Sequence, residues 1–448
     1  MRTRGAEKHS FTKNPCLGGI VAILVLTGTV SAQSFSPSSP AREYIRLGDR
    51  IVGMESGRTS PNGAAVQVFL EMVDRGIQST STGMTNSLGT QLRLDPADYD
   101  GASYSFEVVG TNTDSVNRQV ELLDSGNVVT ASVTVPSGTS NATRFRSATF
   151  TPNAGPTVYT IRLAQTTSAA QLKVYTGRIV VDQVGGTKTR IQIPLANYLS
   201  GTGTQQWIES TNSTTYGQNF PQYFSIFYRD NDRYDAVVAW EFEVVSAASG
   251  AGTHLTSLFT RAGTQLTTSE VSRTGSAVQL SVVDITNDAN FTNLTEFEVR
   301  HKTSSVASGT LYRAALYLRL GAFTKADVYH RISRYHTALL SGYNTDSRLL
   351  FEVWKLSNPT IYFESVGWEN TAGAQKRSIA NMATSDSGTP ATPEPVSGSE
   401  IDFSSSTKTR IRTGPFQLTS GNRYALYVDT GNGATAASTS FVVIAVVR

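Results

Sequence analysis

The sequence predicts an all-β protein of three tandem β-sandwich domains with a jelly-roll-like arrangement, preceded by a signal peptide and a short hairpin. Two observations support this fold class. Strand-like runs of about four to eight residues follow one another, separated by Gly, Asn, Asp, Ser and Pro, and no long amphipathic helix pattern interrupts them. Related segments also recur at a spacing that is far longer than a solenoid repeat of about 20 to 50 residues and matches the length of a domain.

The clearest recurring segment is a predicted core strand, present as Tyr104–Val109, Trp240–Val245 and Ile361–Val366. Apolar and polar residues alternate in it, which is the period-two pattern of a strand with one buried face. Phe106, Phe242 and Phe363 occupy the same position in the three copies. We expect each phenylalanine to anchor a separate hydrophobic core, with about 1.5 to 3 kcal/mol gained per buried side chain.

A glutamate follows each of these phenylalanines, namely Glu107, Glu243 and Glu364. Alternation along a strand places the carboxylates on the face opposite the phenylalanines. Outer strand faces commonly carry charges, so we interpret the three glutamates as solvated surface residues. The alternative is that they line a binding surface.

The first 32 residues have the features of a secretory signal. Basic residues precede the apolar run Leu17–Val30, and Val30-Ser31-Ala32 supplies small residues for cleavage. A retained membrane anchor is the alternative, but the apolar run is shorter than the ~20 residues that a spanning helix needs. We therefore predict a secreted protein, extracellular or on the cell surface, with no membrane span in the mature chain.

The composition of the mature chain narrows the function classes. Cys16 is the single cysteine and leaves with the signal, so the domains depend on hydrophobic cores rather than on disulfides. The first 32 residues account for all of the formal net charge of +3, so no nucleic-acid partner is predicted. A composition of 39% hydrophobic and 16% charged residues is typical of a chain that buries a core.

The predicted organisation begins with the signal peptide at 1–32 and a linker with a β-hairpin at 33–59, where Arg42–Glu55 reads as two strands around Gly48-Asp49. The three sandwich repeats follow at 60–184, 185–322 and 323–448. Jelly-roll topology is preferred because each repeat is long enough for eight or more strands. An immunoglobulin-like sandwich, of about 100 residues, is the alternative.

Four segments of the first repeat carry a family resemblance: Leu94–Gly101, Tyr104–Glu107, Thr143–Arg146 and Gly177–Gln183. In this combination the chain resembles tandem β-sandwich repeats of secreted bacterial surface proteins of uncharacterised function. The resemblance covers most of residues 60–448, although the second copy departs from it at the Thr-Arg strand and the third lacks the Asp-rich turn. It implies an extracellular or cell-surface module and transfers no catalytic residues.

The second repeat contains the most concentrated aromatic region, from which Trp207, Tyr216 and Tyr223 are candidate ligand-binding residues. Aromatic rings with polar neighbours stack well on sugar rings, so a glycan is the predicted ligand. The alternative is that these aromatic residues belong to the core or to an interface between repeats.

An acidic turn in the same repeat offers a candidate calcium site at Asp230, Asp232 and Asp235. Calcium requires several oxygen ligands from a compact loop, whereas the alternative is that Asp and Asn stabilise a turn before a strand. No other cofactor is predicted. The histidines of the mature chain are interpreted as ordinary surface or interface residues rather than metal ligands: His254, His301, His330 and His336.

Three function hypotheses follow. The first is a secreted, non-catalytic surface protein with a structural or adhesive role, which assembles with itself or with cell-envelope material through exposed strand edges. The second is a carbohydrate-binding protein that uses the aromatic patch of the second repeat. The third is a polysaccharide-degrading enzyme, which needs paired carboxylates in a cleft. Because the sequence contains none of the common local catalytic motifs, we predict a protein that is not an enzyme.

Overall fold

The structure of the chain is a computed structural model. It describes residues 43–47, 50–55, 66–73, 77–183, 187–197, 199–200, 206–207, 209–211, 213–217, 226–249, 251–304, 308–333, 342–350, 359–369, 375–383, 394–403, 407–419, 422–430 and 436–447. Regular structure in these ranges consists of β-strands and short 3-10 turns, and all strand pairs are antiparallel. The predicted all-β sandwich class is confirmed. No helix in the described ranges is long and apolar enough to cross a membrane.

The predicted hairpin is confirmed as strands β1 (Glu43–Leu47) and β2 (Arg50–Glu55). The two strands pair antiparallel, with Leu47 opposite Arg50 next to the turn. The hairpin belongs to a compact unit of residues 1–61, and residues 62–448 form a second unit. The predicted signal peptide lies outside the described residues.

Residues 66–183, called repeat 1 below, form β3 (Val66–Val73), β4 (Ile77–Gln78), β5 (Thr85–Leu94), β6 (Ala102–Asn112), β7 (Arg118–Leu123), β8 (Val129–Val135), β9 (Thr139–Phe150), β10 (Thr157–Leu163) and β11 (Leu172–Gln183).

Residues 189–320, called repeat 2, form β12 (Thr189–Asn197), β13 (Leu199–Ser200), β14 (Gln206–Trp207), β15 (Glu209–Thr211), β16 (Phe227–Arg229), β17 (Val237–Ala248), β18 (Thr253–Thr260), β19 (Val271–Thr274), β20 (Gln279–Asp284), β21 (Thr295–Thr303) and β22 (Gly309–Leu320).

Residues 325–447, called repeat 3, form β23 (Lys325–Ser333), β24 (Gly342–Leu350), β25 (Thr360–Glu369), β26 (Gln375–Asn381), β27 (Glu394–Pro395), β28 (Ile401–Phe403), β29 (Thr409–Arg412), β30 (Arg423–Thr430) and β31 (Ala436–Val447). In the described residues, no sheet combines strands from two repeats. The predicted domain boundaries themselves stay a prediction.

Each repeat has the pairing pattern of a jelly roll, in which one long antiparallel ribbon is folded over on itself. In repeat 1 the first main strand pairs with the last (β3 with β11), the second with the seventh (β5 with β10), the third with the sixth (β6 with β9) and the fourth with the fifth (β7 with β8). Repeats 2 and 3 follow the same scheme, with orders β12-β22-β17-β20 and β16-β21-β18-β19, then β23-β31-β25-β29 and β24-β30-β26-β27. This pairing favours the jelly roll over the immunoglobulin-like alternative.

The expected core phenylalanines Phe106, Phe242 and Phe363 are fully buried. However, the buried hydrophobic residues of the three repeats form one contiguous cluster rather than three separate cores. The core strands β6, β17 and β25 are also buried on both faces, not on one. The second face is covered because neighbouring repeats pack against it.

The repeats pack head to tail and close into a ring. Strand β5 of repeat 1 lies against β17, β20 and β22 of repeat 2. The 3-10 turn Asn231–Arg233 of repeat 2 lies against β23 of repeat 3, and β24 of repeat 3 lies against β6, β9 and β11 of repeat 1. The first strands of the three repeats, β3, β12 and β23, contact one another. Repeats 1 and 3 therefore each place an edge strand against the next repeat in the ring, and repeat 2 places a turn there.

Candidate functional site

The three core-strand glutamates are buried, so their assignment to a solvated face was wrong. Glu107 is surrounded by three guanidinium groups: Arg178, Arg144 and Arg146 each donate from Nε to the carboxylate at 2.8 Å. Burial alone would raise the pKa of Glu107, but the three arginines hold it well below its usual range. Arg144 and Arg146 lie on β9, which pairs with the core strand β6.

Glu364 has the same arrangement in repeat 3. Arg410 on β29 donates from Nε to the carboxylate at 2.6 Å, and Arg412 lies 4.0 Å from it. Arg412 also donates to Asp327 at 2.6 Å. Arg233, from repeat 2, places Nη1 3.9 Å from Glu364. The cluster therefore includes a residue of the preceding repeat.

Glu243 obtains its partners from other strands of repeat 2. Arg313 and Tyr317 on β22 donate to its Oε1, with the tyrosine hydroxyl at 3.1 Å, and Arg190 on β12 lies 3.6 Å from Oε2. Arg313 also donates to the backbone oxygen of Gln91 in repeat 1 at 2.7 Å. This cluster likewise crosses a boundary between repeats.

The three clusters have a clear energetic consequence. A charge that is buried without a partner costs several kcal/mol, whereas a buried and fully hydrogen-bonded pair is close to neutral for stability. The glutamates therefore require the arginines. In the Glu243 and Glu364 clusters, contacts with a neighbouring repeat link the stability of the cluster to the packing of the repeats.

The Asp-rich turns of repeats 1 and 2 each bind the start of the next repeat through an aspartate. Asp100 accepts hydrogen bonds from the backbone N–H groups of Thr187 and Lys188, both at 3.1 Å. These hydrogen bonds, the Thr187 hydroxyl first, lower the pKa of Asp100. Asp235 accepts in the same way from Thr324 at 2.8 Å and from the lysine that follows. The shared Thr-Lys dipeptide thus marks the start of repeats 2 and 3 because an aspartate of the preceding repeat binds it.

The predicted calcium ligands have protein partners in this arrangement. Asp230 accepts from the backbone N–H of Asp232 and from Nε of Arg233, both at 3.0 Å, and Asp235 is held by Thr324. Among the described residues no group of three or more His, Cys, Asp or Glu side chains could hold a metal ion. Calcium binding at this turn stays a prediction.

Of the three predicted glycan-binding residues, Tyr216 is the one whose side chain the structure describes. Tyr223 lies outside the described residues, and Trp207 lies on β14 with no described side chain. The Tyr216 hydroxyl donates to Glu270 at 2.5 Å, and the ammonium group of Lys302 lies 4.2 Å from the centre of its ring. Burial and Glu270 raise the pKa of Tyr216. The chain's own residues therefore contact this ring, and glycan stacking here stays a prediction.

His330 is fully buried at the contact between repeats 3 and 1. Its ring stacks on Phe69 with 4.0 Å between centroids, and its Nε2 donates to the backbone oxygen of Gln67 at 2.8 Å. Burial lowers its pKa to about 3. His254 and His301 form a second buried contact, with their ring nitrogens 3.0 Å apart. His336 lies outside the described residues.

The edge strand β8 differs from the other outer edges of the sheets. It spans seven residues, Val129–Val135, ends its sheet, and contains no charged residue, Pro or Gly. Ser132 and Thr134 point outward, and Val128 and Val129 at its start are 62% and 43% exposed. Such an edge presents unpaired N–H and C=O groups that another strand can bind.

The corresponding edges of repeats 2 and 3 are shorter and protected. Strand β19 spans four residues and contains Arg273. The edge pieces of repeat 3 span two and three residues, and they contain Pro395 and Asp402. Charges, proline and short length are the usual means of blocking edge-to-edge pairing. Of these described edges, β8 is the one without such protection.

No family model and no curated protein matches the chain. Among solved structures, it is similar to the dimeric latent PorU from Porphyromonas gingivalis, with 10% identity over 85% of this chain and 32% of PorU and a TM-score of 0.23. It is also similar to the PBSX exported protein XepA, with 10% identity over 63% and 95% of the two chains and a TM-score of 0.17. A third similar structure is the CBM22-1-CBM22-2 tandem domain of Paenibacillus barcinonensis Xyn10C, with 9% identity, coverages of 58% and 98%, and a TM-score of 0.19. Similarity at these TM-scores supports no conclusion about function.

Replacing Glu243 by Gln tests whether the buried clusters are needed for stability. The variant leaves the buried guanidinium group of Arg313 without its carboxylate, whereas Arg190 keeps Glu241 at 2.9 Å. The free energy of unfolding should fall by about 3 to 5 kcal/mol. Urea denaturation followed by circular dichroism measures this loss. The control is Glu400→Gln, because Glu400 is 58% exposed and pairs with Lys376 at the surface; it should change stability by no more than about 0.5 kcal/mol. Equal effects of the two variants would contradict the role of the clusters.

The buried neutral His330 predicts a loss of stability in mild acid. The unfolded chain protonates this ring near pH 6.5, whereas the folded chain resists protonation down to about pH 3. The unfolded state therefore binds more protons below pH 6.5, and stability falls by up to about 1.4 kcal/mol per pH unit from this residue. In His330→Phe, which keeps a ring against Phe69, the decrease in urea midpoint between pH 7 and pH 5 should be smaller. An unchanged pH dependence in this variant would show that His330 does not cause the loss of stability in mild acid.

Proposed function

We propose that this chain is a secreted, non-catalytic protein of the cell surface with a structural or adhesive role, and that it assembles with copies of itself by pairing of the β8 edge. The observation that carries the proposal is the contrast between β8 and the protected edges of repeats 2 and 3. If association were harmful to this protein, selection would be expected to protect the β8 edge as well.

The composition of β8 suits strand addition. Its sequence, Val-Thr-Ala-Ser-Val-Thr-Val, consists of residues with high or moderate β-propensity and has no charge. Segments of six or seven residues of this kind pair readily with one another. Main-chain hydrogen bonds supply the affinity in such pairing, and outward side chains supply specificity. The mature chain's near-zero net charge does not oppose association.

The packing of the three repeats against one another is suited to a subunit of a larger assembly. Inner sheet faces and the first strand of each repeat are used within the chain, so assembly does not compete with folding for those surfaces. The ring also fixes β8 at one position relative to repeats 2 and 3. A rigid unit that is open at the β8 edge is expected to form a defined contact rather than an irregular aggregate.

A lysine on the outward face of β8 tests the proposal. The mature protein should form dimers or larger ordered oligomers in light scattering and in negative-stain microscopy. Ser132→Lys places a charge on the open edge and should shift the protein to a monomer, because like charges meet when two β8 strands pair. As an exposed substitution it should change the free energy of unfolding by no more than about 0.5 kcal/mol.

Ser272→Lys is the matched control, since Ser272 is an exposed serine on the short edge strand β19 of repeat 2. It should leave the oligomeric state unchanged. A wild-type protein that is monomeric at all concentrations measured, or association that Ser132→Lys leaves intact, would refute assembly through β8.

A further inference from the structure

The junction between repeats 2 and 3 contains a cleft of about 340 Å³. This volume lies at the lower end of the ~300 to 1,000 Å³ typical of small-molecule sites. Its lining includes six charged or polar residues: Asp232, Arg233, Lys325, Asp327, Tyr362 and Arg412.

Two facing positions on the first and last strands differ between the two equivalent junctions. In repeat 2, Arg319 lies opposite Arg190 of the first strand, and its guanidinium binds Asp98 of repeat 1 at 2.8 Å. In repeat 3 the residue at the equivalent register is Ala445, opposite Asp327. The alanine leaves open the space that an arginine side chain fills at the first junction.

Two cations of the lining, Arg233 and Lys325, keep hydrogen-bonding capacity, although Arg233 is already ion-paired with Asp327 and Glu364. Nη1 of Arg233 is buried and makes no hydrogen bond there; it lies 3.7 Å from Asp327 and 3.9 Å from Glu364. Lys325 forms no ion pair in the described part of the chain. By contrast, Arg412 is held by Asp327 at 2.6 Å and lies over the ring of Tyr362 at 4.0 Å.

These donors favour an anionic ligand. A carboxylate can accept charge-assisted hydrogen bonds from a guanidinium and an ammonium group together. Asp232 is exposed at the turn, and its carboxylate accepts no hydrogen bond from the described residues. It can therefore accept from a hydroxyl group, so the ligand that matches the lining has both a carboxylate and hydroxyls.

We infer that the cleft between repeats 2 and 3 binds one sugar acid, a uronic acid residue that is free or at the end of a polysaccharide. Arg233 and Lys325 bind its carboxylate, and Asp232 accepts from a hydroxyl. The site is separate from β8, so ligand binding and self-assembly can be measured independently.

Isothermal titration calorimetry with galacturonate, oligogalacturonate and galactose tests this inference. Galacturonate should bind and neutral galactose should not, because the carboxylate is the group that Arg233 and Lys325 recognise. Lys325→Gln should weaken binding about tenfold or more, as expected for the loss of one charge-assisted hydrogen bond. Binding of oligogalacturonate alone would identify a chain end, rather than the free sugar acid, as the ligand.

Ala445→Met places a longer side chain in the cleft without adding charge and should abolish binding, with the thermal midpoint showing that the variant is folded. Arg319→Met is the matched control, because it introduces the same residue at the equivalent position of the first junction and should leave binding unchanged. Three results would overturn the inference: no binding of either acidic ligand, equal binding of galactose, or binding that survives in Ala445→Met.

Discussion

A buried carboxylate on the core strand of each jelly roll is the constraint on which the remaining structure depends. Glu107, Glu243 and Glu364 lie on the sheet face that neighbouring repeats cover, where an unpaired charge would cost several kcal/mol. Arginines on adjacent strands neutralise them, and contacts such as Arg233 to Glu364 and Arg313 to the Gln91 backbone come from across a repeat boundary. The Glu243 and Glu364 clusters therefore couple the stability of repeats 2 and 3 to that of a neighbouring repeat.

The same constraint determines which surfaces remain for function. Because the sheet faces that carry the glutamates must be covered, repeats 1 and 2 each receive an edge strand and repeat 3 receives a turn of repeat 2. The first strands β3, β12 and β23 also contact one another. In the described residues, the main contacts between repeats do not involve the edge strands β8, β19, β27 and β28. The last three of these are short and protected, and β8 is long and uncharged. Variation at a junction, such as Ala445 in place of an arginine, changes a packed contact into a cleft without altering the ring.

The sequence predicts the fold class well because alternation and domain-length recurrence are local signals. It did not reveal the burial of the glutamates, because alternation shows which residues share a face but not what covers that face. The recurring Arg-x-Arg of Arg144 and Arg146 was visible, yet its pairing with Glu107 depends on β9 lying beside β6, strands that are not consecutive. The equivalence of Arg319 and Ala445 likewise needs the strand register. The Thr-Lys dipeptide at the start of repeats 2 and 3 can be read in the sequence, but its binding by Asp100 and Asp235 depends on the folded arrangement.

Closure of the ring between repeats 1 and 3 is tested most directly by a double-mutant cycle at the stacked pair Phe69 and His330. The free energy of unfolding is measured by urea denaturation for Phe69→Ala, His330→Ala and the double variant. These residues belong to repeats separated by all of repeat 2, so they interact only if the ring closes. Direct packing predicts a coupling energy of about 0.5 to 3 kcal/mol. Additive effects, within about 0.3 kcal/mol, would show that the two residues are not in contact and would contradict the closed ring.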